Sequence, residues 1–259
     1  MAFLQVQFYS EALGVASTVN VILPEHSQGI GVNASGEQVK EPPKVLYLLH
    51  GYSDDHSIWM RRTSVERYAA AHNLAVIMPA VNHSFYNNEE YGERYWDYVA
   101  EELPTAMHRF FKLSEKPEDT FVAGLSMGGY GAMKLALTFP ERYAAAASFS
   151  GALDYAHDGV GLDVLNFTKR RIFGDAPTAG TDADLFYLMK KNGDAPVKPR
   201  LYVSCGTKDF IYDHTLEFVP AAKESGWDVS YFEKPDAIHE WAYWDEEIAK
   251  FIPWMLTRG

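Results

Sequence analysis

Short runs of apolar residues, continuous rather than alternating, recur along the chain at positions 45–49, 75–78, 120–123, 144–149 and 201–204. A strand with one wet face alternates apolar and polar residues. A run apolar throughout is buried on both faces, as in a parallel sheet. Helix-compatible segments lie between the runs, at 62–72, 98–112, 129–139 and 214–225. The pattern predicts one more strand over 227–232 and a closing helix over 240–256, interrupted at Pro253. Pro104 is expected to kink or divide the second of these helices, because it lacks an N–H and crowds the preceding turn. Strand and helix in alternation predict βαβ units, and so a three-layer α/β sandwich with a mostly parallel central sheet.

The first residues behave differently. Phe3, Val6 and Phe8 alternate with polar neighbours, and 17–23 continues as a second β-rich stretch, so both read as antiparallel edge strands at the N-terminus. A Gly-, Ser- and Asn-bearing loop spans 24–43. The other break in rhythm is 152–199, about fifty residues between consecutive core strands, about twice an ordinary crossover. Its turn signals and its apolar set (Phe167, Ile172, Phe173, Phe186, Tyr187, Leu188) suggest an insertion roofing the carboxyl edge of the sheet. With that insertion, residues 1–259 read as a single large domain.

Where the run at 120–123 gives way to the helix-like segment stands Gly124-Leu125-Ser126-Met127-Gly128. Strand, sharp turn and helix make G-x-S-x-G a nucleophile elbow, with the serine hydroxyl raised above the sheet edge; the alternative is a tight turn with an inert serine. A serine hydroxyl attacks only when a base takes its proton, and the base needs an acid to hold its tautomer. In a parallel sheet such groups gather on loops at the carboxyl ends of strands. Those loops supply Ser126, Asp209 and His239 in that chain order. Of nine histidines, His239 alone ends a strand in the right position. His26 lies in the polar loop, His72 and His108 in helices, His157 in the insertion, and His214 opens a helix. Asp213 is expected to cap that helix rather than serve as the acid, and Asp236 stands too near His239 on one loop to face it squarely. His239-Glu240 invites a zinc reading, but position 243 is tyrosine where H-E-x-x-H needs histidine, so no metal is expected.

An oxyanion hole needs two backbone N–H groups aimed at the developing charge. Met127 is expected to give one and Tyr52 the other, from His50-Gly51-Tyr52 after the 45–49 strand, which could equally be a plain strand-ending turn. Trp59, Phe85, Tyr86, Trp96 and Trp241 surround the expected mouth. Trp59, Tyr86 and Trp241, with Phe173 from the insertion, are the candidate substrate contacts, although each suits ordinary packing equally well.

Composition narrows the class. A formal net charge of -12 argues against a nucleic-acid partner, which would require clustered Lys and Arg. Apolar residues at 47% provide for a sizeable core, and no run approaches the length of a membrane span. The opening residues lack a basic segment followed by an apolar one and read as mature sequence. The one cysteine, Cys205, sits inside an apolar strand, as a buried thiol would, and suits a reducing cytoplasm.

The stretches Leu48-Leu49-His50-Gly51-Tyr52, Ser57-Ile58-Trp59, Gly124-Leu125-Ser126-Met127-Gly128-Gly129-Tyr130-Gly131-Ala132 and Trp241-Ala242-Tyr243-Trp244-Asp245 together resemble the esterase D/tributyrin esterase branch of the α/β-hydrolases. That branch holds acetyl and feruloyl esterases and S-formylglutathione hydrolases, and the likeness runs over nearly the whole chain. It implies an α/β-hydrolase fold and a cofactor-free serine carboxylesterase with Ser126, Asp209 and His239 as triad. One departure bears on substrate. S-formylglutathione hydrolases show Ser-Gly-Leu-Thr-Cys on the oxyanion loop, where this chain has His50-Gly51-Tyr52-Ser53-Asp54. The expectation is therefore a cytoplasmic esterase acting on short-acyl oxygen esters of small molecules. Feruloyl or acetylxylan esterase and S-formylglutathione-type thioesterase are the enzymatic alternatives, and an inactive binding protein on the same fold is the non-enzymatic one. Self-association into a homo-oligomer is left open.

Overall fold

The computed structural model describes residues 1–25, 41–157 and 163–257, so most of the loop expected at 24–43 and part of the insertion lie outside the described residues. In chain order the first elements are β1 (Ala2–Ser10), β2 (Val15–Leu23), β3 (Lys44–Leu49), α1 (Ile58–Arg62), α2 (Val65–Ala70) and β4 (Leu74–Pro79). There follow α3 (Tyr95–Asp97), a π-helical turn over Tyr98–Glu102, α4 (Leu103–Phe110), β5 (Thr120–Leu125), α5 (Met127–Thr138) and β6 (Ala145–Phe149). The chain ends with α6 (Asp163–Phe173), α7 (Leu185–Lys191), β7 (Arg200–Gly206), α8 (Tyr212–Glu224), β8 (Val229–Lys234) and α9 (Trp241–Leu256).

The strands form one 8-stranded sheet in the order β1-β2-β4-β3-β5-β6-β7-β8. The pairs β1–β2 and β2–β4 are antiparallel and all the others parallel, which is the mostly parallel α/β sheet expected from the continuous apolar runs. Successive side chains of a strand point to opposite faces. Val45, Tyr47 and Leu49 accordingly join the core that also holds Tyr98, Met107, Tyr130, Leu188 and Phe218. Leu46 and Leu48 join the opposite core with Trp59, Val65, Trp244, Ile248 and Phe251. The sheet is thus sandwiched, with α1, α2 and α9 on one side and α4, α5, α7 and α8 on the other.

Several boundaries differ from expectation for identifiable reasons. β2 is not an edge strand, since β4 covers its second side; only β1 is an edge at that end. The helix expected over 62–72 is the shorter α2, and α1, which was not expected, ends just before it at Arg62; Thr63 between the two is extended. Asp245 of α9 takes the Ser64 N–H at 3.0 Å and the Tyr68 hydroxyl at 3.0 Å, which fixes the restart. Pro104 disturbs its segment without dividing it: the turn before it is π-helical, and the helix runs on through Tyr95–Asp97, Tyr98–Glu102 and Leu103–Phe110. Pro253 does not interrupt α9 either. It sits on the exposed side of that helix while Phe251, Ile252 and Met255 are buried, so packing outweighs one lost backbone bond. In the insertion Ile172 and Leu188 are buried, but Phe167 is 72% exposed and Tyr187 is on the surface. The expected apolar set therefore does not gather as one cluster.

Candidate active site

Ser126 joins β5 to α5 with φ 52° and ψ -118°, a left-handed backbone that few non-glycine residues adopt. The surroundings hold it there. Its N–H donates to Phe149 O at 3.0 Å, and its carbonyl accepts from Tyr130 N–H at 3.1 Å and Ala152 N–H at 3.2 Å. Gly128 explains the close approach behind it: a Cβ there would stand 2.5 Å from Leu49 O and 2.7 Å from His50 O. The first turn of α5 therefore lies directly on the backbone leaving β3, and the two loops that carry Met127 and Tyr52 run side by side. Gly51 completes the contact, since a Cβ on it would stand 3.7 Å from Ser126 Cβ. Among the described residues neither Tyr52 N–H nor Met127 N–H has a backbone acceptor, so both remain available to an external oxygen.

The loop between them is held by His50. Its ring is buried, Nε2 accepts from Val81 N–H at 3.0 Å, and Nδ1 stands 2.7 Å from Gly51 O, which fixes the proton on Nδ1. Burial lowers this imidazole to about 4, against smaller opposite effects from Gly51 and Asp55. A base whose native value is depressed stays neutral in the fold while the unfolded chain takes up a proton near pH 6.5. Stability contributed this way is fully present above pH 6.5 and is lost as the pH falls towards 4, by on the order of 3 kcal/mol. Urea unfolding at stepped pH is expected to show this slope, and His50→Gln a shallower one. Tyr52 is also tied down through its side chain, its hydroxyl standing 2.6 Å from Thr168 Oγ1 on α6 and its ring stacked on His83 at 4.2 Å.

At the other end of the sheet, β7 leads to Asp209 and β8 to His239. The two loops are laced together by Thr207 N–H to Lys234 O and Lys208 N–H to Ala237 O, each 3.0 Å. His239 Nδ1 stands 2.9 Å from Asp209 Oδ2 and 3.0 Å from Oδ1, and the Asp209 side chain is 0% exposed. Ile211 N–H also donates to Asp209 Oδ1, at 3.1 Å. With Nδ1 engaged, Nε2 is the nitrogen left to exchange a proton. Phe210 and Trp244 wall the imidazole, at ring separations of 4.6 and 4.8 Å.

The other acids stand elsewhere. Asp236 is exposed and pairs with Lys208 at 2.6 Å. Asp213 is not the cap expected of it: Ile211 occupies that position, and Asp213 lies exposed in the first turn of α8, where it favours the helix dipole. The Cys205 thiol is buried and pushed up to about 12 by desolvation, so it holds its proton as a strand thiol would. No group of His, Cys, Asp and Glu among the described residues could hold a metal ion.

Ser126 and His239 open onto one cavity of about 450 Å³, lined also by Gly51, Tyr52, Asp54, Phe85, Leu125, Phe210, Trp241 and Trp244. Of the candidate substrate contacts only Trp241 lines it. Trp59 is buried behind the lining, its indole N–H donating to Leu49 O at 3.0 Å. Tyr86 is likewise buried, its hydroxyl donating to His50 O at 2.9 Å. Phe173 packs towards Tyr155, away from the cavity, and Trp96 stacks on Phe139. These aromatics were misread because the sequence gives proximity to a loop but not the direction of a ring. Asp54, Phe210 and Trp244 were not singled out as lining residues. For Phe210 the available signal was its place directly after the acid.

A family model described as "Putative esterase" matches residues 10–255. The chain is 31% identical over 264 residues to an acetyl esterase of Caldicellulosiruptor saccharolyticus, covering 98% of each. Among solved structures, the fluorophosphonate-binding serine hydrolase FphF of Staphylococcus aureus is 37% identical, with a TM-score of 0.88 and 99% of both chains covered. The S-formylglutathione hydrolase FrmB of the same organism is 38% identical, with a TM-score of 0.85 over 99% of both chains. The match over nearly all of the sequence, and the sheet and elbow that go with it, make this chain a member of that esterase family, with an α/β-hydrolase fold.

Proposed function

We propose that the chain is a serine carboxylesterase hydrolysing short-acyl oxygen esters of small molecules, with Ser126 as nucleophile, His239 as base and Asp209 as its orienting acid. The observation that carries this reading is the coupling of a strained, cavity-facing serine with a histidine whose Nδ1 is fixed by a buried carboxylate. In the first half-reaction Ser126 Oγ attacks the ester carbonyl while His239 Nε2 takes its proton. The carbonyl π bond opens onto oxygen, and the N–H groups of Tyr52 and Met127 receive that charge. Collapse expels the alcohol, which takes the proton from His239, and leaves an acyl-Ser126. Water, deprotonated by the same imidazole, then releases the acid and restores the serine. Asp209 stays ionised and stabilises the imidazolium. None of these steps needs a cofactor.

The residues from 152 to 199 belong to the same catalytic unit in this reading, since Ala152 lines the cavity and Thr168 holds the Tyr52 side chain. No helix among the described residues is long and apolar enough to cross a membrane, and we place the enzyme's work in the cytoplasm, where a lone reduced thiol is unremarkable. A burst of product from a chromogenic acetate ester, equal to the enzyme present, tests turnover and excludes an inactive binding protein.

Substrate range is the second test. The name of the acetyl esterase relative supports a short-acyl reading, while that of the 38% identical S-formylglutathione hydrolase relative supports a thioester reading. The oxyanion loop supports oxygen esters, because it carries Ser53-Asp54 where the resemblance to S-formylglutathione hydrolases leads one to expect Thr-Cys. Across acetate to octanoate esters the rate is expected to fall with length in graded steps, within roughly 1–3 kcal/mol per methylene. Aryl cinnamates, acetylated xylo-oligosaccharides and S-formylglutathione complete the panel. Octanoate above acetate, or S-formylglutathione best by a wide margin, would refute the assignment.

A further inference from the structure

The cavity is electrostatically one-sided. Its lining includes the carboxylates of Asp54 and Glu240 and, among the described residues, neither lysine nor arginine. Asp54 is the nearer to the chemistry. The point where a Cβ on Gly51 would stand lies 2.6 Å from Leu125 Cδ1, 3.1 Å from Asp54 Oδ2 and 3.7 Å from Ser126 Cβ, so the carboxylate and the serine both border Gly51, as Leu125 does. Asp54 is half-buried there, held by its N–H to Gly51 O at 3.2 Å, whereas Glu240 is exposed and screened by solvent.

We propose that Asp54 is a specificity-determining residue that makes this site select esters by charge, accepting neutral or cationic substrates and rejecting those with an anionic group. The proposal rests on the esterase reading above and adds the substrate class to it. An anionic group seated beside Ser126 meets the Asp54 carboxylate at close range across a partly desolvated gap, where repulsion is several times stronger than in bulk water. Among the aromatic walls, Phe85 and Phe210 have no donor and Trp244 spends its indole N–H on Ser150 Oγ at 3.1 Å, while the rings present faces that a cation tolerates. Burial holds the Asp54 carboxyl above the ordinary range, with Asp55 pushing the same way and a Gly51 hydrogen bond, Arg62 and His239 pulling it down. Lowering the pH through that raised value removes the charge and with it the discrimination.

The test uses pairs of aryl esters matched in length, one ending in a methyl sulfone, which is neutral and carries no second ester, and the other in a sulfonate, which stays charged at every working pH. One pair bears the difference on the acyl side and a second on the leaving phenol. The wild-type enzyme is expected to disfavour the sulfonate by at least about tenfold in kcat/KM in at least one pair. Asp54→Asn is expected to narrow that same ratio to within about threefold, whatever happens to the neutral rate, and Glu240→Gln to change it by less than about twofold. The wild-type ratio is expected to narrow towards acid as well, a readout that needs no variant to fold. Equal rates for both members of both pairs, a ratio untouched by Asp54→Asn, or a ratio that collapses only in Glu240→Gln would overturn the proposal. Failure of the neutral esters themselves would instead remove the esterase reading on which it stands.

Discussion

Ser126→Ala is expected to lower ester turnover by about 10³-fold or more while the protein remains folded. The residual rate is expected to come from the proposed Tyr52 and Met127 N–H donors and from binding, neither of which the substitution touches. The backbone strain at φ 52° is imposed by the contacts of Phe149, Tyr130 and Ala152 with the main chain, not by the hydroxyl, so alanine occupies the same turn. A small fluorophosphonate is expected to add one equivalent to the wild-type protein and none to the variant, read by intact mass and peptide mapping. The relative FphF is itself named for binding such reagents. Labelling at another serine, or turnover within tenfold of wild type, would remove Ser126 from the mechanism.

Asp209→Asn is expected to cut kcat at neutral pH by about 10⁴-fold without unfolding the protein. The carboxylate accepts from His239 Nδ1 and from Ile211 N–H. An amide keeps the size but can turn its NH₂ towards the imidazole, which then holds its proton on Nε2 and cannot act as base. Asp213→Asn and Asp236→Asn serve as the comparison. Both side chains are exposed, and both substitutions are expected to stay within about twofold of wild type, as surface changes generally do. Circular dichroism confirms folding. A near-normal Asp209→Asn enzyme would mean that the acid lies elsewhere.

The positions of the core strands, their mostly parallel pairing and the placing of the elbow were legible because they depend on short-range pattern, whereas the order of the strands in the sheet was not read from it. Continuous apolar runs at β3, β5 and β6 can be satisfied only by burial on both faces, and G-x-S-x-G between a strand and a helix has few other uses. What escaped the sequence was set by contacts between distant residues. The start of α2 after Thr63 is held by Asp245, which takes the Ser64 N–H from 181 positions away in chain order. The continuity of α9 through Pro253 depends on which side of that helix faces the sheet. Trp59 and Tyr86 look like mouth residues in one dimension; in three, each spends its polar atom on the backbone that shapes the site. Asp54 is legible as a loop residue, but its nearness to Ser126 follows only from the way Gly51 lets two loops touch.

β8 has a neighbour on one side only and no fully buried position, yet the loop that follows it carries His239. The two partners of the proposed catalytic chain therefore hang from unequal supports: Ser126 from the sheet's interior, His239 from its margin. Margins open first, and amides there exchange through small fluctuations that leave the interior closed. Activity in this protein is accordingly a gauge of its rim rather than of its core. Mild denaturant would silence it while β3, β5 and β6 remain protected from solvent.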